Sequence, residues 1–143
     1  MKVLAVNISH KKGIIKVPVE QVQVKIDHGI IGDAHAGNWH RQISLLGIES
    51  FHKMDNKGVT LKEGIFAENI TTEGIILHEL PIGTQLQIND TILEVTQIGK
   101  ECHHNCAIRN AIGDCVMPRE GIFCKVIKEG TIKKDDSISI IEK

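Results

Sequence analysis

Gln85-Leu86-Gln87-Ile88-Asn89-Asp90-Thr91-Ile92-Leu93-Glu94-Val95-Thr96-Gln97-Ile98 reads as a β-hairpin. Gln85 to Asn89 forms the first arm, Thr91 to Ile98 the second, and the chain turns around Asn89-Asp90. In the second arm Leu93, Val95 and Gln97 share one face, because successive strand side chains point to opposite sides. Downstream, Phe123 to Lys128 and Ser137 to Ile141 read as the last strands, joined across Gly130. Upstream, Lys2 to Ser9, Val22 to Ile26 and Gln42 to Leu46 carry strand patterns. Ile48 to Asn56 has the best helical character, with Gly58 as its stop. Thirteen glycines punctuate the chain, as many short strands require. The expected fold is mainly β: a closed or nearly closed β-barrel with one or two short helices. Closure would remove the exposed edges that invite aggregation. A β-sandwich is the alternative, and periodicity does not separate the two.

The length of 143 residues suits a single domain over 1–143 with one core. The apolar weight lies in isoleucine, valine and leucine, which favours strands. The formal net charge of −1 gives no electrostatic case for nucleic acid or an anionic membrane. Aromatics are 3% of the chain and tyrosine is absent, which argues against a surface that stacks bases. No apolar run approaches the ~20 residues that span a bilayer. The opening stretch, Met1 to Ile8, is too short and polar for a signal peptide. The expected location is the cytoplasm, where thiols stay reduced. Four cysteines there suggest catalysis or metal binding before disulfides.

Three clusters carry chemistry. In Gly32 to Gln42, Asp33, His35, His40 and Arg41 stand with the only tryptophan, Trp39. Arg41 suits a phosphate or carboxylate in a forked geometry. A solvated polar loop with Asp33 capping a turn is the plain alternative. In Gly64 to Ile70, Glu68 and Asn69 adjoin apolar residues at a strand, and one of them would face a pocket. Otherwise Asn69 ties down a turn through local backbone bonds. The third cluster is Lys100-Glu101-Cys102-His103-His104-Asn105-Cys106, followed by Cys115 and Arg119. Nearby cations favour the thiolate, the form that attacks electrophiles or binds metals. The spacing of Cys102 and Cys106 also allows zinc, with His103, His104 or Cys115 as further ligands. Cys124 alternates with apolar residues and reads as a small buried hydrophobe.

Taken in order, Gly-Asp-x-His-Ala-Gly-x-x-His-Arg-Gln-x-Ser-Leu-Leu at Gly32 to Leu46, Phe66 to Ile75, Leu80 to Thr84, Leu93 to Gln97 and a cysteine at 102 form a joint pattern. It resembles the MOSC domain family, named for the C-terminal domain of molybdenum-cofactor sulfurase, in its small stand-alone bacterial type. The likeness runs from about Val3 to Ile140. It implies a β-rich, barrel-like fold and chemistry centred on Cys102, which either carries sulfur as a persulfide or ligates molybdenum of the pterin cofactor. Many members approach this cysteine through Pro-Arg-x-Pro-Cys. Here the approach is Ile98-Gly99-Lys100-Glu101-Cys102, and His-His-Asn-Cys follows. A ligand phosphate then falls to Lys100, Arg41, Arg109 or Arg119.

The expectation is a cytoplasmic protein of molybdenum-cofactor and sulfur metabolism, leaning towards an enzyme such as a sulfurtransferase. Cys102 would be the catalytic thiolate, assisted by His103, His104 and Lys100. Arg41, Arg119 and Arg109 would hold the anionic end of the pterin, beside Glu68 and Asn69. His35 and His40 would line the pocket, with Asp33 orienting one imidazole. A cysteine desulfurase or a redox partner protein would serve it, and protein ligands alone would hold no stable metal. Two alternatives stand beside this one. The first is a binding module stabilised by zinc on Cys102, Cys106, Cys115 and a histidine. The second is a molybdenum-dependent reductase of N-hydroxylated compounds.

Overall fold

The computed structural model describes residues 1–11, 14–52, 62–99 and 120–141. The expected hairpin is present as β7 (Gln85–Ile88) and β8 (Thr91–Ile98). Its register pairs Leu86 with Leu93 and Ile88 with Thr91, which sets both apolar rows on one face. Before it come β1 (Lys2–Ile8), β2 (Val17–Val19), β3 (Gln21–Lys25), β4 (Gly29–Ile30), β5 (Ile43–Gly47) and β6 (Ile70–Glu73). After it come β9 (Ile122–Lys128), β10 (Gly130–Lys133) and β11 (Ile138–Ile141). A short helix, α1 (Ile48–His52), follows β5 directly. The expected helix ran on to Asn56; that end and its Gly58 stop lie outside the described residues. A 3₁₀ turn covers Leu77–Glu79.

The fold is mainly β. Eight strands form one sheet in the order β11-β7-β8-β9-β5-β6-β1-β2, and β10, β3 and β4 form a second sheet. The strands missed from the sequence, β2, β4 and β10, have two to four residues each, and the strand expected at Gly64 to Ile70 starts only at Ile70, as β6, after a turn. Such runs are too short to show a period, and tertiary pairing decides them. Gly130 is not a plain connection between the last strands. It opens β10 and pairs with Val24 of β3. A Cβ there would lie 2.6 Å from Thr91 Oγ1, so the close approach needs glycine.

The large sheet does not close into a barrel among the described residues. Its two ends approach each other through one bridge, Lys2 with Ser137, and through Ile138 N–H on the Met1 carbonyl at 3.0 Å. The rest of β1 is taken by β2, which pairs Val6 with Val19. That leaves β11 no ladder to complete. One core lies between the sheets, where Val3, Val6, Val22, Val24, Leu45, Ile70, Leu93, Val95 and Ile122 pack together. Cys124 belongs to it and is fully buried, as read from the sequence. Burial, with the Glu94 charge as the lesser cause, pushes its thiol far up, so it is no nucleophile. Phe51 of α1 meets Phe66 edge to face at 5.0 Å, which docks the helix on the 64–69 turn.

Candidate functional site

The chain between β4 and β5 is the Gly32–Gln42 cluster. It is anchored from below by a residue that the sequence reading passed over. Lys16 is 1% exposed, while its neighbours Ile14, Ile15 and Val17 face solvent. Its ammonium donates to Asp33 Oδ1 at 2.7 Å, to Ser9 Oγ at 3.0 Å and meets His35 Nδ1 at 3.0 Å. Burial pushes the Asp33 carboxyl up, but the Lys16 hydrogen bond and charge, with bonds from Asn69 and Ser9, outweigh it. The carboxyl is held below the ordinary range. Asp33 also accepts the backbone N–H of Ser9 at 3.1 Å and of His35 at 3.1 Å. It therefore shapes the loop. Its Oδ2 lies 4.0 Å from His35 Nδ1, and Lys16 makes the short contact to that ring nitrogen. The one available sequence signal was a lone lysine set among Ile14, Ile15, Val17 and Pro18.

From this anchor the loop rises to the surface. The Trp39 indole N–H donates to the His35 carbonyl at 2.9 Å. The Arg41 guanidinium lies 4.6 Å from the Trp39 ring centre and 5.6 Å from that of Phe123 on β9. Stacking occupies the faces of the guanidinium and leaves its N–H edges for an acceptor. Arg41 Nε is buried without a hydrogen-bond partner, and among the described residues no carboxylate pairs with Arg41. His40 is exposed; its Nε2 meets Gln97 Oε1 at 2.8 Å, and Thr96 Oγ1 donates to its carbonyl. Gln97 in turn donates to the Gly99 carbonyl at 2.7 Å. Arg41, His40 and Trp39 thus gather at the open end of β8 and β9. There Gly99 N–H bonds the Gly121 carbonyl at 2.7 Å, and Ile98 pairs with Ile122.

Glu68 and Asn69 are both fully buried and serve as a clasp. Glu68 accepts from Gly64 N–H at 2.8 Å, Phe66 N–H at 3.1 Å and the Thr71 hydroxyl at 2.6 Å. Burial still dominates and raises its pKa to about 7. Asn69 accepts from Ser44 N–H at 3.0 Å and donates to the Asn7 carbonyl at 3.2 Å. It ties strands together through backbone, as the plain sequence reading allowed. The clasp also fixes Gly64, whose φ is +89° and whose Cβ, if present, would lie 2.3 Å from the Lys16 carbonyl. Gly64→Ala is expected to cost about 2–4 kcal/mol through strain and overlap, read as a shift in the urea midpoint. A loss below about 0.5 kcal/mol would show that this contact is not present in solution.

Lys100, Cys102, His103, His104, Cys106, Arg109, Cys115 and Arg119 lie outside the described residues. Among the described residues no group of three His, Cys, Asp or Glu side chains could hold a metal ion. No helix among them is long and apolar enough to cross a membrane.

The family model for the MOSC domain matches residues 32–139, which takes in the anchored loop, the clasp and the β8–β9 mouth. The chain belongs to the MOSC domain family. Solved structures share the fold. This MOSC domain superposes on the YuaD protein from Bacillus subtilis with a TM-score of 0.79 at 20% identity, covering 96% of this chain and 93% of that one. YiiM from Geobacillus stearothermophilus gives 0.75 at 20% identity over 99% of this chain and 75% of its own. YiiM from Escherichia coli gives 0.71 at 14% identity over 100% and 71%. No curated protein sequence matches the MOSC domain described here.

Proposed function

We propose that this MOSC domain binds the pterin molybdenum cofactor, with Arg41 holding an anionic group of the pterin and Cys102 supplying the thiolate ligand. The observation that carries the reading is Arg41: a stacked, half-buried cation with an orphaned N–H and no counter-charge among the described residues. Such a charge is costly without an anion beside it. His40 stands next to it, its ring held in place by donating Nε2–H to Gln97 Oε1. Strand β8 ends beside this cation, and Cys102 follows Gly99 by three positions in the chain. When bound, the cofactor supplies a redox-active metal centre that takes a soft thiolate well. Lys100, Arg109 and Arg119 add positive charge for the same anion, and His103 or His104 favours the ionised form of Cys102. The protein works in the cytoplasm, and a redox partner protein supplies electrons.

The test is pterin content of the full chain expressed in a host that makes the cofactor, measured by fluorescence after oxidative release. Wild type is expected to retain pterin, and Arg41→Ala to retain about tenfold less or lower, the size of a lost charge-assisted bond. Cys102→Ala is expected to lose molybdenum. Protein without pterin overturns the reading. A gain of one sulfur atom on Cys102, after exposure to a cysteine desulfurase and cysteine, would then point to sulfur carriage. In that step the Cys102 thiolate attacks the terminal sulfur of the desulfurase persulfide, the S–S bond of the donor breaks, and the donor thiolate leaves. One tightly held zinc per chain would point instead to the structural module.

A further inference from the structure

We propose that Lys16 is a positioning residue: its ammonium, wedged between Asp33 and His35, holds the His35 ring neutral with its proton on Nε2 and, through Trp39, sets the plane of Arg41. An ammonium has three donors and no acceptor. Here the three point at Asp33 Oδ1, Ser9 Oγ and His35 Nδ1. Ser9 gives its own hydroxyl proton to the Lys11 carbonyl at 2.9 Å, so it receives from Lys16. His35 Nδ1 must likewise receive. A proton on Nδ1 would set N–H against N–H at 3.0 Å, next to a buried positive charge. The proton therefore sits on Nε2 and the ring is uncharged.

This arrangement inverts the usual pairing of a carboxylate with a histidine. Asp33 Oδ2 is 4.0 Å from Nδ1 and would by itself draw a proton there. Lys16 sits against the same nitrogen at 3.0 Å and prevents this. His35 becomes a neutral donor at Nε2, suited to an oxygen acceptor rather than to taking up a proton. The same anchor reaches the arginine. Asp33, held by Lys16, accepts the His35 backbone N–H at 3.1 Å, the His35 carbonyl holds the Trp39 indole at 2.9 Å, and Trp39 lies against the Arg41 guanidinium. That the acceptor belongs to the pterin cofactor rests on the proposed function; the protonation state and the link to Trp39 do not.

The test is nitrogen-15 NMR of the full chain at neutral pH, comparing wild type with Lys16→Met. In wild type, His35 is expected to show a bare Nδ1 and a protonated Nε2. In Lys16→Met the pattern is expected to reverse, with Nδ1–H turned to Asp33. The single tryptophan gives one indole cross-peak, so Trp39 reports the rest of the chain of contacts. Its N–H is expected to exchange at least about tenfold faster in the variant. A protonated Nδ1 in wild type overturns the proposal, as does an unchanged ring in a folded variant. The wild-type spectrum decides even where the variant does not fold. Pterin content of the same samples separates the two claims. Protein lacking pterin but showing the stated His35 state defeats the functional reading and leaves this one standing.

Discussion

Lys16→Met lowers the stability of the fold by about 3–5 kcal/mol. The side chains of Lys16 and Asp33 are both wholly shielded from solvent, 2.7 Å apart. Removing the ammonium leaves a carboxylate in a dry interior with the neutral donors of Ser9, His35 and Asn69 but no counter-charge at bonding distance. It also strips an acceptor's partner from Ser9. Methionine fills the space of the lysine stem, so the loss measures the charge and not the packing. Urea denaturation reads it directly. The double variant Lys16→Met, Asp33→Asn should cost less than the two single changes added together, by about 1–3 kcal/mol, because each single change orphans the other partner. Additive losses would mean that the two groups do not meet in solution. The pair also has a pH window. The Asp33 carboxyl is lowered in the folded state, so its stabilisation is present above the ordinary value of 3.8 and is lost as pH falls through the folded value beneath it.

The second large effect has the opposite sign. Glu68 is raised from 4.5 to about 7 by burial, so the folded protein holds a proton that the unfolded chain has released. Stability from this group is full below 4.5 and drains away as pH climbs to about 7. The change amounts to about 3 kcal/mol at 1.36 kcal/mol per pH unit. Glu68→Gln removes the titration. It also sets an amide N–H against the backbone donors of Gly64 or Phe66, a fixed cost of about 1–3 kcal/mol. Measured against wild type, the glutamine variant should therefore look worst in acid and recover by about 3 kcal/mol towards pH 8. A difference that stays flat across that range would show that the carboxyl is ionised throughout. The two windows do not overlap, so Asp33 and Glu68 can be told apart in one titration.

The strands with enough residues to show alternation were legible in the chain. Val22 and Val24 point inward and Gln21, Gln23 and Lys25 outward, and the β7–β8 hairpin turns where Asn89 takes a φ of 55°. The MOSC pattern from Gly32 to Gln97 is written in the chain itself. What stayed hidden was tertiary in origin. β4 has two residues, and its pairing of Ile30 with Val24 exists only because β3 is already in place. Of the closed or nearly closed barrel expected, the described sheet stops short of full closure for a similar reason: β2 competes for the edge of β1, and nothing in Val17-Pro18-Val19 announces a partner. At the site, Asp33, His35, His40, Arg41 and Trp39 were visible as a dense polar run. Their support was not. Lys16 lies seventeen positions before Asp33 and looks like a surface lysine, since charge on that stem nearly always reaches water. Glu68 looked equally fit for a pocket, and only its three donors place it inside the clasp.

Gly99 and Gly121 are joined by a backbone hydrogen bond, and the ladder between Ile98 and Ile122 resumes at once below it. The stretch bearing Cys102 is therefore spliced into the scaffold at a single doorway. Up to that threshold the handle keeps its own shape, with the lysine rivet under the tryptophan loop and the paired strands below it.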